Sequence, residues 1–418
     1  MRPSHLVRPG LALLLAAGLS TLAAPVGAAR AATPTTSASV APVAVTSSEQ
    51  LAPGVTYGSF QVDTPRGPAV GYLLTADLRK NRVSLDLLHP DTVAQRQVVS
   101  AMTNAQGAIA GVNGDFFNIS ETHAGVAPTG SSSGPEIADG EQLKFAVPTA
   151  QRFGPGLAPG TSTRDVFGVG VNGEARVDTL SLTGEVRSGT HAIALGGLNQ
   201  YALPVGGVGL FTSAWGTASR VRSTCGSDTS RNDPCSTHTY EVTIRRGVVT
   251  AVGQTPGAGA IPADTEVLVG REGGADALDD LAVGDRVSVH EKLSSAGAPK
   301  LTFAVGGAPI LRDGVPLAGL DTRTAAVRSA AGVSPDGRTV YLVALAGRAP
   351  ASAGLTIAEL ADVLRALGAD AAVNLDGGGS TTVAVREPGQ ATATARNSPS
   401  DGTERAVANG IGIFVGRH

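Results

Sequence analysis

The residue types best suited to chemistry recur in a repeated phrase. Residues 107–115 read Gly-Ala-Ile-Ala-Gly-Val-Asn-Gly-Asp and residues 368–376 read Gly-Ala-Asp-Ala-Ala-Val-Asn-Leu-Asp, identical at six of nine positions. Both end in Asn-x-Asp, so on an extended strand Asn113 and Asp115 share one face, as do Asn374 and Asp376. Asp is depleted from strand interiors unless something uses it. Two such strands about a pseudo-twofold axis would bring two carboxylates and two carboxamides to one sheet edge. Carboxylates so placed can act as acid, base, nucleophile or anchor for a sugar hydroxyl. A duplicated packing unit without chemistry is the alternative, because a strand of small residues also admits a helix closely.

The loops after the repeats favour chemistry. Asp376 is followed by Gly377, Gly378, Gly379, Ser380, Thr381 and Thr382, and such a run can turn backbone amides and hydroxyls toward one bound oxyanion. The Gly-Lys-Ser/Thr sequence of a nucleoside triphosphatase is absent. Asp115 is followed by Phe116, Phe117 and Asn118; of the two aromatics, one is expected in the core and the other against a sugar face. Arg323 and Arg405, taken by themselves, read first as surface salt-bridge residues. Gly168-Val-Gly-Val-Asn-Gly173 and Gly130-Ser-Ser-Ser-Gly134 match dinucleotide and nucleophile-elbow patterns. Their contexts, a hairpin and a Gly/Ser/Pro loop, fit neither. The seven His residues include no pair at helix ligand spacing and no set for a Ser-His-Asp triad.

The elements that must position these residues can also be read. Ile357, Leu360, Ala361, Leu364 and Leu367 mark one face of a helix. Thr356 and Glu359 form a capping box, Leu355 staples onto Leu360, and Gly368 is the stop. A second helix is expected from Thr92, with Gln95 in the box position and Gly107 as its stop. Apolar/polar alternation over Val55–Leu88 predicts a β-meander, and Asn172-Gly173 predicts a two-residue hairpin. Strand-like runs between about 200 and 300 predict a β-rich insertion. The fold class is therefore α+β: a strand-rich mixed α/β domain in which two helix–strand–Asn-x-Asp units converge on one site.

Composition narrows the function classes. Of 418 residues, 42% are hydrophobic, enough for one large core or two medium ones, which excludes overall disorder. Gly 55 and Pro 25 point to many turns rather than to a helical bundle. A net charge of −3 without a basic run argues against nucleic acid and polybasic membrane binding. Arg2, His5 and Arg8, the apolar run from Leu11 to Ala24 and the small residues Ala28, Ala29, Ala31 and Ala32 follow the order of a secretory signal. The expected organisation is a signal at 1–32, a flexible leader at 33–52 and a domain at 53–418, placed outside the cell or in its envelope without stable membrane insertion. In that oxidising setting Cys225 and Cys235 read as a local disulfide. No cofactor is required by these residues, while the Asp clusters are compatible with structural Ca²⁺.

Four segments together resemble one family. Val112-Asn-Gly-Asp-Phe-Phe-Asn118, Arg323-Thr324, Asn374-Leu-Asp-Gly-Gly-Gly-Ser-Thr-Thr382 and Arg405-Ala-Val-Ala-Asn-Gly-Ile-Gly-Ile-Phe414 are similar to the phosphodiester glycosidase domain. The similarity runs from about Val55 to Val415, and the Asn374–Thr382 run is its most specific part. It implies hydrolysis of a sugar 1-phosphodiester or phosphoglycan, with expulsion of a phosphomonoester through an oxocarbenium-like transition state. That chemistry needs positive donors at the phosphate and a carboxylate for the sugar cation or the attacking water. Asp376, then Asp115, are the expected carboxylates, and Arg323 and Arg405 the expected cations. Asn113, Phe116, Thr324, Asn374, Gly377, Gly378, Gly379, Ser380, Thr381 and Asn409 are the expected substrate contacts. Cleavage of P–O rather than C–O, or a non-catalytic module holding an anionic glycan, remains open at this level.

Overall fold

Period-two alternation organises the domain. The computed structural model describes residues 42–297, 299–347 and 352–416; the expected signal at 1–32 and the first part of the leader lie outside them. An eight-stranded antiparallel sheet runs, in spatial order, Ala44–Ala52, Val55–Thr64, Gly67–Asp77, Thr339–Leu345, Ser329–Val333, Ala371–Asn374, Ala308–Arg312, Val315–Pro316. A five-stranded antiparallel sheet runs Thr394–Ala395, Val383–Val385, Ala110–Asn113, Gly410–Val415, Val83–Leu88. Alternate residues of both sheets, such as Leu74, Leu342, Val373, Val112, Ile411 and Ile413, meet in one buried core. The intervening residues face the opposite way and meet helices.

Three helices occur among the described residues: α1 (Val99–Ala105), α2 (Gly273–Asp279) and α3 (Ile357–Ala366). Leu360, Ala361 and Leu364 of α3 pack with Val343, Leu345 and Ala372 on the outer face of the large sheet. Val99 and Met102 of α1 pack with Leu88, Ala384 and Phe414 on the outer face of the smaller one. The order helix, sheet, sheet, helix follows from strands that are apolar on both faces. The capping box of α3 forms as expected, Thr356 Oγ1 accepting from Glu359 N and the Glu359 carboxylate accepting from Thr356 N. Gly368 terminates it at φ +103.

Four expectations are corrected. α1 begins at Val99 and not near Thr92, and no side chain caps it. The amides of Val93 and Ala94 bond instead to the carbonyls of Ala214 and Trp215, and Gln97 bridges Val407, so tertiary backbone pairing takes the residues that local propensity assigned to a helix. The leader expected to 52 ends earlier, because Ala44–Ala52 pairs with Val55–Thr64 as an edge strand. The Asn172-Gly173 hairpin has three loop residues: Gly170 N bonds Glu174 O, and Gly173 takes φ +73 as the left-handed residue of a bulge. Finally, Val83–Leu88 leaves the meander and joins the five-stranded sheet.

Most of the expected insertion forms a sheet of its own, ordered Gly197–Leu198, Val208–Phe211, Thr265–Arg271, Thr239–Arg245, Val248–Gly253, while its last strand, Ser288–Ser295, pairs with Ala175–Ser188 instead. A further sheet built on Asp165–Gly170, Ala175–Ser188 and Leu301–Gly306 contributes Phe167, Phe303 and Val305 to the central core. The disulfide Cys225–Cys235 is formed.

Candidate active site

The two Asn-x-Asp repeats end on different sheets, and their ends meet. Ala110–Asn113 belongs to the five-stranded sheet and Ala371–Asn374 to the eight-stranded one. Each strand stops at its Asn, so both Asp residues stand just beyond a strand end. The single sheet edge read from the repeat is thus replaced by the facing ends of two sheets. Asn113 makes the junction: Nδ2 donates to Asp376 O at 2.7 Å, while Oδ1 accepts from Ser329 Oγ at 2.7 Å and Thr382 N at 3.1 Å. Asp376 N in turn donates to Gly114 O at 2.9 Å. Asn374, its repeat counterpart, is fully buried with both side-chain polar atoms unpartnered among the described residues. The repeat is therefore asymmetric in use.

Asp115 is a fixed carboxylate. Oδ1 accepts from Phe116 N at 2.8 Å and Oδ2 from Gly134 N at 2.5 Å, while its own amide donates to Asn409 Oδ1 at 2.9 Å. Asn409 is oriented by Glu136, whose Oε1 accepts from Asn409 Nδ2 at 2.8 Å and Ser132 Oγ at 2.6 Å. The buried Lys144 ammonium donates to the Gly134 and Phe145 carbonyls, and burial pushes its pKa down to about 8 against the charges of Glu136 and Asp115. Burial raises the Asp115 pKa, opposed by the Gly134 amide, Arg152, Lys144 and the Phe116 amide. At Gly306 a Cβ would lie 2.4 Å from Asp115 Oδ2, so that position has no room for a side chain.

Asp376 sits in a different environment. It is partly exposed, its Oδ1 accepts from Gly377 N at 2.9 Å, and Ser380 bonds its carboxylate. Burial pushes its pKa up to about 6, Asp115 adds to the rise, and Ser380, Gly377 and Arg405 oppose it. Gly378–Ser380 forms a 3₁₀ turn, with Gly378 at φ +59. Arg405 donates to Asp401 from Nε at 2.9 Å and Nη2 at 2.5 Å, and from Nη1 to Ser380 Oγ at 3.4 Å. Thr381 is fully buried and bonded to Ser329 and Asn397, which makes it part of the junction rather than of an open surface.

The structure thus brings together Asp115, Asp376, Asn113, Gly377–Ser380, Arg405 and Asn409. Arg323 and Thr324 lie exposed on a loop where both amides bond Asp321 Oδ1. No hydrogen bond or ion pair of the Arg323 guanidinium occurs among the described residues, so nothing ties it to the carboxylates. Phe116 is corrected too. Its ring is buried with Phe153, Tyr201 and Trp215, Phe117 is buried in the core under α1, and neither forms an open wall. Over Phe116, 5.2 Å from the ring centroid, lies the Arg152 guanidinium, in the field of both Asp115 and Asp376.

Sequence reasoning missed Arg152, Glu136, Lys144 and the 130–134 loop. The Gly130–Gly134 run, whose loop context fits no nucleophile elbow, supplies the amide that holds Asp115. The signal available was a Lys and a Glu at positions where burial strands charge, and burial is not readable locally. Among the described residues one grouping has three potential ligand residues together, His123, Cys225 and Cys235. Two of these form the disulfide, and both His123 nitrogens are engaged, by Glu121 and the Asp233 carbonyl. No carboxylate cluster suited to Ca²⁺ forms among the described residues. A cleft of about 420 Å³ lined by Glu174, Arg312, Asp336 and Asp370 opens at the start of strand Ala371–Asn374. That is the end of the strand away from Asp376, and it contains none of the expected site residues.

Comparison with known proteins agrees with the resemblance. Residues 238–414 match the family model described as phosphodiester glycosidase. The match, under half of the chain, includes Arg323, Asn374–Thr382 and Arg405–Phe414 but not the Asp115 segment. No curated protein matches. A hypothetical protein from Synechocystis is similar in structure at TM-score 0.67 and 22% identity, over 90% of this chain and 64% of that one. This chain therefore spans less than two thirds of that relative. A Burkholderia pseudomallei K96243 protein, whose name places it among exported proteins, aligns at TM-score 0.61 and 26% identity, over 83% of this chain and 74% of that one. The catalytic domain of zebrafish N-acetylglucosamine-1-phosphodiester alpha-N-acetylglucosaminidase aligns at TM-score 0.42 and 13% identity over 90% and 88%, a likeness too low to carry an argument.

Proposed function

We propose that the chain is an exported hydrolase that cleaves a sugar 1-phosphodiester, releasing the free sugar and a phosphomonoester. One arrangement carries this reading: Asp376, inside the family-matched segment, stands partly exposed at the junction where the two repeats meet, in the field of the buried Asp115 carboxylate, and burial pushes its pKa up to about 6. A phosphomonoester is a good leaving group, so charge placement matters more than acid assistance. In the proposed step Asp376 takes a proton from water as that water attacks the anomeric carbon. The bond from the anomeric carbon to the phosphate oxygen breaks, and its electron pair leaves with the phosphate. Asp115, held by two backbone amides, supplies fixed negative charge to the developing oxocarbenium ion. The Gly377–Ser380 turn holds Asp376 through the Gly377 amide and Ser380, and Arg405 bonds Ser380 Oγ beside it.

The exported setting is part of this proposal. It is supported by the order of residues 1–32, by the disulfide and by the exported name of one structural relative. No helix among the described residues is long and apolar enough to cross a membrane. A cell-envelope glycan or exopolysaccharide is the substrate class that fits this setting.

The test is hydrolysis of α- and β-sugar 1-phosphodiesters in ¹⁸O-labelled water by the wild type and Asp376→Asn. Label is expected in the freed sugar, with turnover by the variant reduced at least about a thousandfold. Label in phosphate would make the enzyme a phosphodiesterase by mechanism. Absence of turnover with tight glycan-phosphate binding would make it a binding module.

A further inference from the structure

We propose that Arg152 is the guanidinium that binds the phosphate of the diester, and that the disulfide-closed loop Cys225–Cys235 holds it in place. This rests on the reading of the site as a sugar 1-phosphodiester site. A phosphodiester carries one negative charge and must approach two carboxylates, so it needs a cation not already neutralised. Arg405 gives two donors to Asp401. The Lys144 ammonium is fully buried and spent on two carbonyls. Arg152 has no ion pair with a carboxylate among the described residues, and of its five N–H donors one is engaged, Nη1 on the Pro155 carbonyl. Its remaining donors lie over Phe116, within the field of Asp115 and Asp376.

The backbone on both sides of Arg152 is clasped from the insertion. Gln151, at the end of the 3₁₀ turn Thr149–Gln151, is buried; its Nε2 donates to Ser227 O at 2.7 Å and its Oε1 accepts from Arg222 Nη2 at 3.2 Å. The Gln151 carbonyl accepts from Tyr201 Oη at 2.8 Å. Arg231 Nη1 donates to the carbonyl of Arg152 itself at 3.0 Å, and the Arg231 guanidinium lies 4.0 Å from the Phe153 ring centroid. Ser227 and Arg231 both lie between Cys225 and Cys235, in a loop that Ser227 Oγ ties to Asp233 at 2.5 Å. Three consecutive residues, 151 to 153, are thus gripped by one short cross-linked loop. A disulfide there limits the conformations available to the loop and so to the arginine it holds.

The experiment compares wild type, Arg152→Gln, Arg152→Lys, Arg231→Ala and the double variant Cys225→Ser/Cys235→Ser. The readouts are kcat and KM on a methyl phosphodiester of N-acetylglucosamine 1-phosphate, and calorimetric affinity for glucose 1-phosphate and for neutral methyl glucoside. Arg152→Gln is expected to raise KM and weaken glucose 1-phosphate binding by about 10- to 100-fold, the worth of a charge-assisted hydrogen bond. Neutral glucoside binding should not change, and Arg152→Lys should recover part of the loss. Arg231→Ala and the cysteine variant should show the same selective loss in smaller degree. Should the cysteine variant not fold, Arg231→Ala carries the loop's part of the test. Unchanged phosphate affinity in Arg152→Gln overturns the proposal, and unchanged affinity in folded Arg231→Ala overturns the role of the loop. A wild type without turnover whose phosphate binding still depends on Arg152 retains this inference and removes the glycosidase reading. Turnover indifferent to Arg152 does the reverse.

Discussion

Asp115 and Asp376 share one electrostatic field, yet their hydrogen bonds divide the work between them. Asp115 accepts from two backbone amides and stays in place; Asp376 is partly exposed, and burial pushes its pKa up to about 6. If Asp376 is the base, it must be ionised, so kcat/KM is expected to rise about tenfold per pH unit below 6 and to level above it. Activity that instead falls as pH rises through 6 would make Asp376 an acid. Stability carries the opposite sign. The folded pKa lies above the ordinary 3.8, so the native state keeps a proton that the unfolded chain has released. That contribution is full below about pH 4 and is lost as pH rises through 6. Asp376→Asn should therefore raise Tm relative to wild type at about pH 8, with the gap closing toward about pH 4. The types of these residues were legible in the repeat and in the Asn374–Thr382 motif. Their difference was not, because it arises from what is packed around each.

At the scale of elements, the glycine turn after Asp376 sets the approach of the Arg405 segment. An added Cβ at Gly379 would lie 2.2 Å from both Arg405 Nη2 and Asp401 Oδ2. These are ends of flexible side chains, so Gly379→Ala should move them without breaking the fold. The expected outcome is a Tm within a few degrees of wild type, with KM for the phosphodiester raised about tenfold. A large loss of Tm would mean that the turn itself had been disrupted. Helix α3 and its stop at Gly368 were readable because capping box, apolar stripe and left-handed glycine are all local. The start of α1 was not, because pairing of Val93 and Ala94 with residues 214 and 215 spans more than a hundred positions of sequence.

Across the whole molecule, two sheets meet at the site in a junction centred on the Asn113 carboxamide, which makes three of its hydrogen bonds. Asn113→Asp would replace the donor facing the Asp376 carbonyl with an acceptor and place an unpaired charge in the core. A loss of about 3–5 kcal/mol is expected, measured by denaturant unfolding, together with loss of turnover; a change under about 1 kcal/mol would show that the junction does not depend on this residue. The sequence by itself determined the α+β class, the repeat and the disulfide, because these rest on residue type, period and short spacing. Tertiary structure alone decided that the repeats sit on two sheets. It also decided that Asn113 is bonded while Asn374 is not, that Arg323 is exposed, and that Arg152, gripped by a loop some eighty residues away, lies over Phe116 in the field of the carboxylates. Those outcomes depend on which strands pair and on which charges are buried. Contacts between distant segments settle both, and no local window of sequence contains them.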